Sequence, residues 1–154
     1  SNYLLDIKAS GRSSLSEHVQ IQQPNWTSNA HRIVASQTRM QAVPMAFLEA
    51  VEGKHQAYVV RGLQPSEDRV ALDDEGVDFA EIRNVVAQMG QIVAWSQLRS
   101  SGQQGAASTD SLIDFGQRHK SWRTELIAAA EQCAAQNLEA WKLYATAYDA
   151  GQFK

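Results

Sequence analysis

The chain has 154 residues, 44% of them hydrophobic and 20% charged, enough for one domain with a core and too ordinary for disorder or a fibrous repeat. Fourteen basic side chains against seventeen acidic ones leave −3, without the broad positive field that non-specific nucleic-acid binding needs. No apolar run reaches the ~20 residues of a membrane span, no secretory signal pattern opens the chain, and the single cysteine, Cys133, points to a reducing, cytoplasmic compartment.

The sequence opens Ser1-Asn2-Tyr3 without methionine and runs straight into an apolar alternation, so a fragment lacking its amino-terminal portion is expected. Tyr3 to Ala9 reads as a strand with Tyr3, Leu5, Ile7 and Ala9 on one face and Leu4, Asp6 and Lys8 on the other. Ser10-Gly11-Arg12-Ser13-Ser14 breaks it as a turn, and Pro24 argues against a helix through the ambiguous stretch 15–28. Ala30, Ile33, Val34 and Met40 follow helical spacing behind a Ser28 or Asn29 cap, with Pro44 as the far limit. Met45 to Glu52 and Gln56 to Leu63 predict a hairpin around Glu52-Gly53-Lys54-His55.

Pro65 ends that hairpin, Pro65 to Asp68 reads as a turn, and Arg69 to Leu72 as a short extended piece. Asp78 caps a long helix whose stripe of Ile82, Val85, Val86, Met89, Ile92 and Val93 is expected to be buried. Ser100 to Ser108 is the clearest linker. A last helical region starts at Thr109 or Asp110, is divided at Gly116 and stops at Gly151, with Trp122, Leu126, Cys133, Trp141, Tyr144 and Tyr148 on a packed stripe. The fold class is α+β: a small antiparallel sheet of about three strands followed by long helices. Residues 1–75 are expected to form the sheet with one helix and 76–154 the helical part, together one compact unit.

Lys8 is the first candidate for ligand chemistry, because a strand lysine can send its ammonium to phosphate oxygens. Protein kinases pair such a lysine with a helical glutamate, yet the helix over 29–41 contains no acid; a solvated lysine on an edge strand is the competing reading. Arg12 and the backbone of its turn could cradle an anion, against a plain surface turn, and neither dinucleotide nor P-loop spacing occurs. Arg61-Gly62-Leu63-Gln64-Pro65 places Arg61 and Gln64 at a strand end, with Gly62 allowing close approach by backbone or ligand; Arg61 alternatively pairs with Glu49 or Glu52 across the hairpin. The acidic run Asp73 to Asp78 has the wrong spacing for a calcium loop, and His18, His31, His55 and His119 have no metal-ligand spacing. No metal site is expected, and no complete catalytic set is present.

Leu5-Asp6-Ile7-Lys8-Ala9 followed by Ser13-Ser14-Leu15 resembles the strand-lysine segment of the bacterial family called domain of unknown function 2252. Arg32 to Gln41 is similar to its next helix, Tyr58-Val59-Val60-Arg61 through Leu63-Gln64-Pro65 and Asp68 to its Val-Arg-x-Leu segment, and Ala134-Ala135-Gln136-Asn137 with Trp141 to its terminal Ala-Asp-Gln-Asn helix. Three positions depart from the pattern: Gln97 stands where a histidine is expected, Gly62 follows Arg61 in place of an acid, and an acid near Ala140 is lost. The resemblance implies longer members with upstream segments similar to small-molecule phosphotransferases. On that basis the chain is expected to be the C-terminal part of a kinase-like phosphotransferase or nucleotide-binding protein. Lys8, Arg12, Arg61 and Gln64 would contact the ligand, a nucleotide with magnesium, while the catalytic residues lie outside the chain. The alternative is a non-catalytic interaction domain whose aromatic helical face takes a partner. Expected partners are the missing amino-terminal portion and a homodimer mate, with neither nucleic acid nor membrane.

Overall fold

The computed structural model describes residues 2–65 and 78–153 and shows an α+β chain of three strands and four helices among them. Strand β1 covers Leu5–Ala9, β2 Glu49–Glu52 and β3 Ala57–Gly62, in the antiparallel order β1-β3-β2. Helix α1 covers Asn29–Met40, α2 Phe79–Arg99, α3 Thr109–Gln117 and α4 His119–Asp149. The expected turn beyond Pro65, the extended piece at Arg69 to Leu72 and the acidic run up to Asp78 lie outside the described residues. The chain divides into two compact units, Ser1–Leu112 and Ile113–Lys154.

Register decides what each sheet face carries. Asp6 stands opposite Arg61, Lys8 opposite Val59, and Ala50 opposite Val59 from the other side. Alternation therefore puts Asp6, Lys8, Ala50, Ala57, Val59 and Arg61 on one face and Leu5, Ile7, Val51, Tyr58 and Val60 on the other. Helix α1 covers the first face: Ala30, Ala57 and Val59 form the buried cluster, with Ile33, Val34, Leu48 and Ala50 packed around it. The strand alternation expected from sequence is present, but the helix lies over the lysine face, while Leu5 and Ile7 are exposed.

Helix α1 begins as its residues dictate. Ser28 is extended, and its hydroxyl accepts from the His31 N–H at 3.1 Å, satisfying one of the orphan donors of the first turn. The hairpin is shorter than expected because residues 45–48 turn instead of pairing, with Phe47 at φ 59°. Gly62 permits a close approach by backbone: its N–H donates to the Ala46 carbonyl at 2.7 Å.

Helix α2 starts at the expected cap, where the Asp78 carboxylate accepts from the Ala80 N–H at 3.3 Å. Its apolar stripe is not buried; Val86, Met89, Ile92 and Val93 are exposed, while Ile82 and Val85 are half-buried. After α2 the expected linker folds on itself, with Gly102 N–H on the Ala107 carbonyl and Ala106 N–H on the Gln103 carbonyl, both at 2.9 Å.

In the second unit, the break between α3 and α4 falls at Arg118 rather than Gly116, because one glycine costs a helix only about 1 kcal/mol. The Phe115 and Trp122 rings stack at 4.8 Å across that break, and Trp122 Nε1–H donates to the Phe115 carbonyl at 3.1 Å. Helix α4 ends at Gly151, whose φ of 72° suits a residue without Cβ; Gly151 N–H reaches Tyr148 O and Gln152 N–H reaches Ala147 O. The stripe expected to pack is exposed instead: α4 has no buried residue, Cys133 is exposed, and Trp141, Tyr144, Tyr148 and Phe153 form a row of neighbouring rings. A unit made of one long helix and part of a short one has too little second surface to cover that stripe.

Candidate functional site

The cationic residues singled out from sequence gather in two places within the first unit. On the α1 side of the sheet, the Asp6 carboxylate joins Arg61 and Lys8. Its Oδ2 accepts from Arg61 Nε at 3.1 Å, lies 3.0 Å from Arg61 Nη2, and lies 3.3 Å from Lys8 Nζ. Arg61 therefore pairs with neither glutamate of the hairpin. Glu49 stands opposite Val60 and belongs to the other face, while Glu52 stands opposite Ala57, four residues from Arg61 along β3. Partial burial pushes the Asp6 carboxyl up, but hydrogen bonds from Arg61 and then Lys8, with their charges, outweigh it and hold the group below the ordinary carboxylate value. One carboxylate between two cations leaves the cluster with one net positive charge. Lys8 is 65% exposed on the edge strand, so its ammonium stays accessible to solvent.

The second place is a cavity of about 690 Å³ beside the start of α1, with Arg12, Ser13, Trp26, Ser28 and Arg32 among its lining residues. Strand β1 ends at Ala9, and Arg12 lies on the irregular chain between it and a turn over residues 14–18. Arg32 is held by its own hydrogen bond, Nη2 donating to the Gly11 carbonyl at 3.1 Å. Neither arginine has a carboxylate within ion-pair distance among the described residues. The same cavity borders the first turn of α1, the positive end of the helix dipole. Two cations and a helix start, undiluted by an acid in α1, suit an anion.

Gln64 lies on the exposed chain just beyond β3. The structure thus joins Lys8 to Arg61 and places Arg12 on the cavity with Arg32. Sequence reasoning missed Asp6, Arg32 and Trp26. Arg32 could have been found from its place four residues after the Ser28 cap, on the polar side of a helix whose apolar side is Ala30, Ile33 and Val34. No cluster of three metal-ligating side chains exists among the described residues, and no described helix is long and apolar enough to cross a membrane.

No curated protein and no solved structure matches the chain. A protein-family profile described as "uncharacterized protein conserved in bacteria (DUF2252)" matches residues 1–147. That match spans the lysine strand, α1, the hairpin, α2, α3 and nearly all of α4. The chain belongs to this bacterial family, DUF2252.

Proposed function

We propose that this chain binds a phosphate-bearing small molecule of the nucleotide class, as the C-terminal part of a kinase-like phosphotransferase. The observation that carries the reading is the pair Arg12 and Arg32, lining one cavity without carboxylate partners among the described residues. Lys8 and Arg61 add cationic groups on the same sheet-and-helix unit, with Asp6 holding them in place. Gln64, on the chain leaving β3, is the further ligand contact of this reading.

Magnesium does not fit the described residues. They hold no group of three carboxylate, histidine or cysteine side chains, and the Asp6 carboxylate is already engaged by two cations. This reading assigns ligand contact to the described residues and, as the family resemblance implies, the catalytic carboxylates to residues outside the chain.

Titration with ribose 5-phosphate and ATP tests the proposal. Arg32→Gln is expected to weaken both about tenfold, since a charge-assisted hydrogen bond is lost, and high salt is expected to weaken the unaltered protein. Lys8→Ala is the second arm; equal affinity would remove Lys8 from the site. Absence of any salt-sensitive binding would refute phosphate recognition.

A second reading, a non-catalytic interaction domain, is favoured by a different observation. Trp141 and Tyr148 on α4 are each 61% exposed, and their rings flank Tyr144 in one row. Such a face suits a protein partner, a second copy of the chain among them. Light scattering across a concentration series checks this; a strict monomer counts against the homodimer.

A further inference from the structure

Helix α1 has two working sides. Ala30, Ile33 and Val34 pack on the sheet, while Arg32, Ser36 and Arg39, at i, i+4 and i+7, line cavities on the opposite side over about 10 Å of helix. The first cavity is the arginine-lined one of about 690 Å³. The second, of about 370 Å³, is bounded by Arg39 and Met40, by Ile21 to Pro24, and by the turn that follows α2. Trp26 borders both, together with Gln23, Pro24 and Ser36, so the two are neighbours across one indole.

That indole is held on two sides. Its ring meets His31 edge-on at 5.6 Å, and the Arg39 guanidinium lies 5.6 Å from its centroid. Arg39 Nη1 in turn donates to Gln104 Oε1 at 2.6 Å, tying the turn to α1. Gln104 sits at φ 49°, between Gly102 at φ 68° and Gly105 at φ 86°, a left-handed path that lets the turn wall the second cavity.

We infer that the two cavities form one bipartite site for a phosphorylated heteroaromatic compound, of the nucleoside monophosphate class. The phosphate lies between Arg12 and Arg32 at the start of α1. The ring lies in the second cavity against Trp26, where Pro24 and Met40 supply apolar contact and the amides of Gln22 and Gln103 supply hydrogen-bonding groups for a ring edge. A phosphate alone needs only the first cavity; a bordering aromatic wall with amides is what a base adds. This inference rests on the phosphate recognition proposed above and extends it to the organic part of the ligand.

The test compares AMP, ribose 5-phosphate and adenosine by calorimetry on the 154-residue chain. AMP is expected to bind about tenfold tighter than ribose 5-phosphate, the difference being the base's contacts in the second cavity. Trp26→Leu is expected to bring the ratio of AMP to ribose 5-phosphate affinity down to about one, and Trp26→Phe to keep it. Arg32→Gln is expected to weaken both phosphorylated probes by a similar factor. Equal affinities for AMP and ribose 5-phosphate in the unaltered protein, a comparison that needs no variant to fold, overturn the base subsite and leave phosphate recognition standing. Binding of both that is indifferent to Arg32→Gln overturns this placement, and binding of neither overturns both proposals.

Discussion

Replacing Val59 by alanine tests which face of the sheet the helix covers, and with it the setting of Asp6, Lys8 and Arg61. Val59 is 7% exposed at the centre of the small core. Losing its two methyl groups forfeits about 1.6 kcal/mol of transfer free energy at ~0.8 kcal/mol per buried carbon. Any unrelaxed void adds ~24 cal/mol per Å³, bringing the expected loss to about 2–2.5 kcal/mol. Val51 is the internal control. It stands on the neighbouring strand opposite Tyr58, on the other face, and is 45% exposed. Val51→Ala removes the same atoms and the same β-branched preference, yet is expected to cost less than about 1 kcal/mol. Urea unfolding of both variants, followed by far-UV circular dichroism, gives the comparison, with the slope unchanged if only stability moves. A Val51→Ala loss equal to or larger than that of Val59→Ala would refute the placement of α1 over the lysine face.

Gly53→Ala is expected to destabilise the hairpin by about 1–3 kcal/mol, because the new Cβ would lie 2.8 Å from both the Gln56 carbonyl oxygen and the Tyr58 ring; the urea midpoint reads it. Ser28→Ala removes the acceptor for the His31 N–H and is expected to cost about 1 kcal/mol, whereas Ser28→Asp keeps the cap and most of the stability. The Asp6 carboxyl is lowered on folding: burial pushes it up, and its bonds and charges from Arg61 and Lys8 more than offset that. Its contribution is therefore full above the ordinary carboxylate value and lost as pH falls through the depressed one. Asp6→Asn is expected to flatten the acid limb of a stability-against-pH curve, and an unchanged limb would show that the pairing carries no linkage.

Local patterning was legible wherever one residue's chemistry decides the outcome. Ser28 and Asp78 cap the helices they precede, and Gly151 ends α4 in the left-handed conformation. The strand alternation from Leu5 to Ala9 also survives. What periodicity does not carry is the identity of whatever covers a stripe. Met89, Trp141 and Tyr144 have core-like spacing and are nonetheless exposed, because spacing describes a face and burial requires a second surface. The partner of Arg61 was illegible for a related reason: a one-residue change in register swaps every side chain to the other face, and only the pairing with β1 selects Asp6. The stretch from Ser100 to Ser108 has linker composition, yet its glycines fold it into a turn beside Trp26 and Arg39. Composition is blind to that contact.

The overall charge of −3 does not oppose an anionic ligand here, because the relevant field is local. Charges separated by more than ~8 Å are largely screened at physiological ionic strength. Within the first unit, Arg12 and Arg32 share a cavity wall, and α1 behind them contains no acid in its twelve residues. Acids such as Asp114 and Glu139 are matched by partners of their own, Arg118 and Lys142, on the helices of the second unit. Asp6 is the carboxylate that does engage the cationic residues, and it meets Arg61 and Lys8 together, so that it neutralises only one of them. Recognition of an anion depends on where opposite charges fail to cancel, and among the described residues Arg12 and Arg32 line their cavity at the helix start with no carboxylate in ion-pair distance.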